Sequence, residues 1–251
     1  MHGKEIVVIQ YQNLNQFTRV KCMASVMLAT LALIPMLAKA DDKDTEEARV
    51  KASGDVVKDL LNAPNGIPLG LLSKADCVIV LPSVKKAGFI VAASYGRGVM
   101  TCRSGENFDG AWSAPIMMQS SGGSFGLQAG GQATDFVILV MNDKGARAVL
   151  KGKAKLGADA SIAAGPVGRD SSAETDATFR SEILSYSRAR GLFAGVSLEG
   201  STIRPDNSDN RRVYGKKISA REIALSGTVT VPPAAEQLIS TLDARTPKHR
   251  P

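Results

Sequence analysis

Histidine is almost missing from this chain: of 251 residues only His2 and His249 carry an imidazole, and both lie beside a chain end. A histidine-based catalytic triad or a histidine-rich zinc site inside the folded body is thereby excluded. The three cysteines, Cys22, Cys77 and Cys102, form no C-x-x-C pattern, so the usual sequence signature of a cysteine zinc site is absent too. No phosphate-binding G-x-x-x-x-G-K-[ST] loop occurs, because Gly152-Lys153-Ala154 lacks both the hydroxyl and the preceding spacing. These absences predict a protein with no metal, no cofactor and no enzymatic activity. Aromatic residues are scarce as well, at 5%.

Glycine is plentiful, with 24 residues, while 44% hydrophobic and 22% charged residues are ordinary for a globular chain. Few rings and many glycines predict closely approaching, curved strands rather than a helical bundle. The length permits one large domain or two small ones.

Arg19 and Lys21 precede an apolar run from Cys22 to Leu37, and Ala38-Lys39-Ala40 comes next as an A-x-A site before acidic residues begin at Asp41. Those three parts predict a secretory signal peptide over residues 1–40. The run is shorter than the roughly 20 residues needed to span a bilayer. An exported protein, periplasmic or secreted and peripheral on a membrane, is the resulting expectation. Charge is uneven along the rest: residues 41–84 carry five basic and eight acidic side chains, residues 85–221 nineteen and twelve. The positive central body points to anionic partners, an anionic phospholipid or another envelope polyanion, with no nucleic acid expected.

Residues 44–62 have helical spacing with Asp and Glu in the first turn, and Ala63-Pro64-Asn65-Gly66 ends the helix. A short helix over Leu69–Lys74 precedes the strands. Cys77–Leu81 reads as a buried strand closed by Pro82, with Phe89–Ser94 and Val99–Arg103 as strands joined by a turn at Tyr95-Gly96-Arg97-Gly98. More strands are predicted at Ile116–Gln119, Ser124–Ala129, Phe136–Met141, Ala158–Ala164, Glu182–Arg188 and Leu192–Leu198. Asp143 is read as capping a helix to about Gly152, residues 204–217 as a loop or short helix, and Ala234–Leu242 as a terminal helix. With no internal repeat, the chain is assigned to the α+β class: a single domain with a curved, glycine-rich, barrel-like antiparallel sheet flanked by helices.

Gly122-Gly123-Ser124-Phe125-Gly126 matches the G-x-S-x-G of hydrolases, but the residues after Gly126 are glycine-rich rather than helical and no histidine base lies nearby. Asp170, Glu174 and Asp176 form a carboxylate cluster among serines and threonines, which suits a solvated loop. The basic residues are more informative. Lys85 and Lys86 precede one strand, Arg97 sits at a hairpin tip, and Lys144, Arg147 and Lys151 recur at helical spacing. These six are the candidate lipid-binding residues, each worth about 1 kcal/mol near an anionic bilayer. They are expected in two partial clusters rather than one pocket. Cys77 and Cys102 both fall on predicted strands, which leaves open a disulfide or two buried thiols.

Pro82-Ser83-Val84, Lys86-Ala87-Gly88-Phe89, Tyr95-Gly96-Arg97-Gly98, Trp112-Ser113-Ala114-Pro115 and Gly122–Gly126 resemble the SYLF domain family. Ala164-Gly165-Pro166-Val167-Gly168-Arg169, Ser185-Tyr186-Ser187-Arg188 and Arg190–Gly200 continue the resemblance over roughly residues 50–225. It implies a SYLF domain over 41–228 that includes the N-terminal helix, with a proline-containing helix and basic tail after it at 229–251. It further implies lipid binding, since eukaryotic members bind phosphoinositides; some fungal members bind actin filaments, a property taken here only as a family label. Family members often carry SH3 or FYVE modules, and three cysteines are too few for a FYVE zinc module. The expected function is that of an exported, non-enzymatic SYLF protein on anionic lipid, with a structural or assembly role in the cell envelope as the alternative.

Overall fold

Helix α1, Asp42–Asn62, buries Val50, Val56, Val57, Leu60 and Leu61. Their three- and four-residue spacing places them on one side. Ala63 closes the helix through its N–H to the Asp59 carbonyl at 3.0 Å, and α2, Leu69–Lys74, comes after Pro68. The computed structural model describes residues 42–64, 66–88, 91–125, 130–152, 154–167, 181–189, 192–196, 198 and 200–247. The signal peptide expected over 1–40 and the carboxylates Asp170, Glu174 and Asp176 lie outside the described residues.

The strands are β1 (Cys77–Gly88), β2 (Val91–Cys102), β3 (Ile116–Phe125), β4 (Gly130–Val140), β5 (Ala154–Lys155), β6 (Ile162–Ala164), β7 (Ile183–Ala189), β8 (Leu192–Gly195) and β9 (Thr202–Pro205). They form one sheet in the order β5-β9-β3-β2-β1-β4-β7-β6, with β8 also on β7. Every pairing is antiparallel except β6 with β7. The α+β, single-domain fold with a curved antiparallel sheet is the architecture read from the sequence.

Two local expectations are corrected. Pro82 does not close β1. The strand continues to Gly88 across a register shift between Leu81 and Val84, where Ser83 adopts φ 51° and donates its N–H to Asp135 Oδ1 at 2.9 Å. A bulge of this kind absorbs a proline that cannot donate to the ladder. Tyr95–Gly98 is not a turn either: β2 runs unbroken through it, with Tyr95, Gly96, Arg97 and Gly98 each paired to β3. Its glycines answer to packing. A Cβ on Gly98 would meet the Val80 carbonyl oxygen and one on Gly96 the Val84 side chain at 2.5 Å.

Helix α3, Asp143–Leu150, is capped by Asn142, whose side chain accepts from the Gly145 N–H, rather than by Asp143. At about 12 Å long it touches both β4 and β9. Four strand intervals separate those strands, about 19 Å in a flat sheet, so the sheet curls around the helix as a half-barrel. Ile79, Leu81, Met100, Ile116, Met118 and Ile138 line the inner face with Ala146 and Val149 of α3. Of the loop or short helix expected over 204–217, the structure has the helix, α4 (Asn207–Tyr214), and Asp206 caps it with bonds from the N–H groups of Ser208 and Asp209. Helix α5 (Ala220–Leu225) adds Ile223 and Ala224 to the inner core. On the outer face Val78, Val80, Val99, Met117, Val137 and Leu139 pack under α1 and the terminal helix α6, Glu236–Arg245. Full burial of each such side chain contributes roughly 1.5–3 kcal/mol.

Candidate functional site

Alternation along the strands fixes which side chains share the outer face. Lys85 stands opposite Tyr95, Tyr95 opposite Ser121, Ser121 opposite Thr202 and Thr202 opposite Lys155. The next row is Arg97, Gln119 and Arg204. Both rows belong to the outer face, because Val99 and Met117 of the α1-covered core continue the same alternation. Lys85, Tyr95, Ser121, Lys155 and Arg204 are exposed. Arg97 Nε donates to the Tyr95 hydroxyl at 2.5 Å, and Arg204 Nη2 donates to Gln119 Oε1 at 3.2 Å. The result is a polar, cationic strip across five strands.

Beside that strip lies a buried ionic cluster that joins α1, α4 and β2. Asp209 Oδ2 accepts from Arg49 Nη1 at 2.9 Å and faces Arg97 Nη1 at 3.4 Å. Its Oδ1 takes Arg212, which also bonds Glu46 Oε1 at 2.9 Å. Burial raises the pKa of Asp209, and the negative charges of Asp206 and Glu46 add to it against the nearby arginines. Burial also acts upward on Asp206, but bonds from the Ser208 hydroxyl and from the Asp209 and Ser208 N–H groups, together with Arg97, leave its carboxyl below the usual range.

The six cations singled out from the sequence do not meet at one place. Lys85 and Arg97 come together on the outer face, on neighbouring strands and two positions apart in register. The separation expected from a hairpin tip at Arg97 is therefore corrected. Lys86 points to the other face, opposite Ser94. Lys144, Arg147 and Lys151 belong to α3 and its C-terminal cap, and α3 packs on the inner face. Lys144 is paired with Glu182 at 2.5 Å, and Arg147 with Asp143 at 3.2 Å and Glu106 at 3.6 Å. Lys155 and Arg204 escaped the sequence reading because β5 and β9 are two and four residues long, too short for alternation to show.

Cys77 and Cys102 are direct partners across β1 and β2. Their sulfurs are bonded, with Cα atoms 3.9 Å apart, inside the usual lower limit of about 4.4 Å. Gly122 and Gly123 lie within β3, so the G-x-S-x-G segment begins inside a paired strand instead of a strand-to-helix elbow. A groove of about 500 Å³ between α1 and α6, bordered by Asp55, Lys58, Asn62, Gln237 and Arg245, contains none of the six candidate cations. Among the described residues no group of three or more His, Cys, Asp or Glu side chains could hold a metal ion, and no helix is long and apolar enough to cross a membrane.

A half-barrel antiparallel sheet flanked by helices, with a charged strip on its outer face, defines the class of domain: a single α+β half-barrel. Residues 121–245 match the family model described as "Ysc84: Las17-binding protein actin regulator". The chain is 36% identical over 215 residues to "Protein YSC84" of Saccharomyces cerevisiae, covering 84% of this chain and 44% of that protein. It is 34% identical over 221 residues to "LAS seventeen-binding protein 3" of the same yeast, covering 87% and 47%. To the human "SH3 domain-containing YSC84-like protein 1" it is 37% identical over 190 residues, covering 75% and 54%. The chain belongs to the Ysc84/SYLF family, and it spans about half the length of these curated relatives.

The family overturns one expectation. The relatives are yeast and mammalian proteins, and the family description names an actin regulator, so the exported, periplasmic or secreted location and the bacterial envelope role read from residues 19–40 are withdrawn. The association with lipid and actin-regulatory partners holds at the level of the family.

Proposed function

We propose that this domain binds anionic lipid surfaces without catalysing a reaction, and that the outer strip of Lys85, Arg97, Arg204 and Lys155 makes the contact. The observation that carries the reading is the shared face of these four cations, which lie in adjoining rows beside the hydroxyls of Tyr95, Ser121 and Thr202. Across four strand intervals the strip is about 19 Å wide, broad enough for several headgroups. The α3 cations Lys144 and Arg147 are already matched by Glu182, Asp143 and Glu106. The relatives' names connect them to Las17 and to SH3 domains, and a membrane-seated domain is a suitable partner for such modules.

Vesicle flotation tests this. The chain should float with phosphatidylcholine vesicles containing phosphatidylglycerol and not with phosphatidylcholine alone, and salt should weaken the association because charge attraction is screened over about 10 Å at 0.1 M. Lys85→Glu and Arg204→Glu should each reduce it, and Arg147→Glu should leave it unchanged. Equal retention on both vesicle types would end the reading.

A further inference from the structure

Arg97 differs from Lys85, Lys155 and Arg204 in facing a buried counter-charge. Its guanidinium lies 3.4 Å from Asp209 Oδ2, with the Arg97 side chain 37% exposed and that of Asp209 only 1%. The same oxygen already accepts from Arg49 at 2.9 Å, and the other faces Arg212. Arg49 and Arg212 each have a second carboxylate, Glu46, at 3.9 and 2.9 Å. For Arg97 the described residues offer no second ion pair; it is held at the surface by the Tyr95 hydroxyl.

The charged groups facing Asp209 are Glu46 and Arg49 from α1, Arg97 from β2, Asp206 at the cap of α4 and Arg212 from α4, with Tyr95 of β2 bonded to Arg97. The charges are three carboxylates against three guanidiniums. Glu46 Oε2 is buried with no hydrogen-bond partner, so negative charge in this pocket is incompletely compensated by donors. One proton added to the cluster leaves a net positive charge, and Arg97 is the guanidinium that loses its carboxylate partner.

Resting on the lipid-binding reading above, we propose that Asp209 is a proton-operated counter-ion for Arg97: protonation of the buried carboxylate frees the Arg97 charge to the outer strip and tightens its hold on an anionic surface. The direction agrees with the burial that raises the affinity of Asp209 for a proton.

The experiment uses the full chain on vesicles containing phosphatidylglycerol, whose phosphodiester stays ionised over the range studied. Partitioning should tighten about five-fold between pH 7.5 and pH 5, the effect of about one more cation at the surface. Asp209→Asn should bind at the tight level at both pH values, and Arg97→Gln at the weak level at both. Burial pushes the Asp76 pKa up to about 7 and an imidazole ordinarily titrates at about 6.5, so Asp76→Asn and a double His2→Gln/His249→Gln variant serve as controls and should keep the wild-type response. A full pH response in Asp209→Asn or Arg97→Gln overturns the proposal. NMR gives a second readout that requires neither lipid nor a folded Asp209→Asn protein: the Arg97 Nε–H shift should track the carboxyl titration of Asp209. Failure to bind at any pH with that coupled titration present would reject the lipid reading alone. An Arg97 signal indifferent to Asp209 would reject the counter-ion.

Discussion

Gly98 presses its backbone against Val80 so closely that a Cβ at that position would lie 1.9 Å from the Val80 carbonyl oxygen. The obstacle is backbone inside the ladder between β1 and β2, so it cannot swing aside. Gly98→Ala should cost about 3 kcal/mol or more, or leave no folded protein. Gly70 in α2 has nothing within 4 Å of its would-be Cβ, and Gly70→Ala should be neutral or stabilising by up to about 1 kcal/mol. Urea denaturation of the two variants should move in opposite directions.

Asp76 supplies a pH-dependent test. Burial pushes its pKa up to about 7 from 3.8, with the negative charge of Asp143 adding to the effect. Between those values the folded chain holds a proton that the unfolded chain has released, so this group's contribution to stability declines as pH rises from about 4 to about 7 and is constant above. The thermal midpoint of Asp76→Asn should lack that share of the decline. A wild-type curve parallel to the variant's throughout would show that Asp76 does not titrate in this way.

Much of this architecture could be read from the residues. Helix α1 declared itself through its helical spacing and the first part of β1 through the apolar run Cys77–Leu81, and the glycine count pointed to a curled sheet. What misled was the reading of glycine and proline as punctuation. Gly96 and Gly98 permit close approach in the middle of a strand, and Pro82 rides on a bulge, because tertiary packing overrode the local turn preference. That error put Arg97 at a hairpin tip and hid its neighbour, Lys85. Lys155 and Arg204 were illegible for another reason: strands of two and four residues acquire an inside and an outside only through their partners.

Arg103 should prove a structural cation. Fully buried, it lies with its guanidinium carbon 4.0 Å from the centre of the Trp112 ring and donates to the Thr246 carbonyl at 2.5 Å, while Nε and Nη1 have no hydrogen-bond partner. Arg103→Ala should cost roughly 3–5 kcal/mol through lost packing and broken bonds and expose the end of α6 to proteolysis near Arg245. Arg103→Met, which keeps the volume over Trp112, should lose less than half as much.

The cross-strand pair of Cys77 and Cys102 should be oxidised in the folded chain, so thiol counting under native, non-reducing conditions should find neither free. With the two cysteines 25 positions apart in sequence, the cross-link restricts the unfolded chain and should contribute about 3 kcal/mol. Reduction, or Cys77→Ser with Cys102→Ser, should lower the denaturation midpoint without abolishing the fold. Free thiols at both Cys77 and Cys102 in untreated protein would overturn this.

The sheet ends in very little strand. On one side it stops at the two residues of β5; on the other, the edge of β7 is shared by three residues of β6 and four of β8. Among the described residues, an incoming chain would find at these two ends only short rows of N–H and C=O groups on which to pair. Many copies could therefore crowd side by side on a charged surface without one sheet growing into the next, a tolerance of high local density that a protein with long open edges would lack.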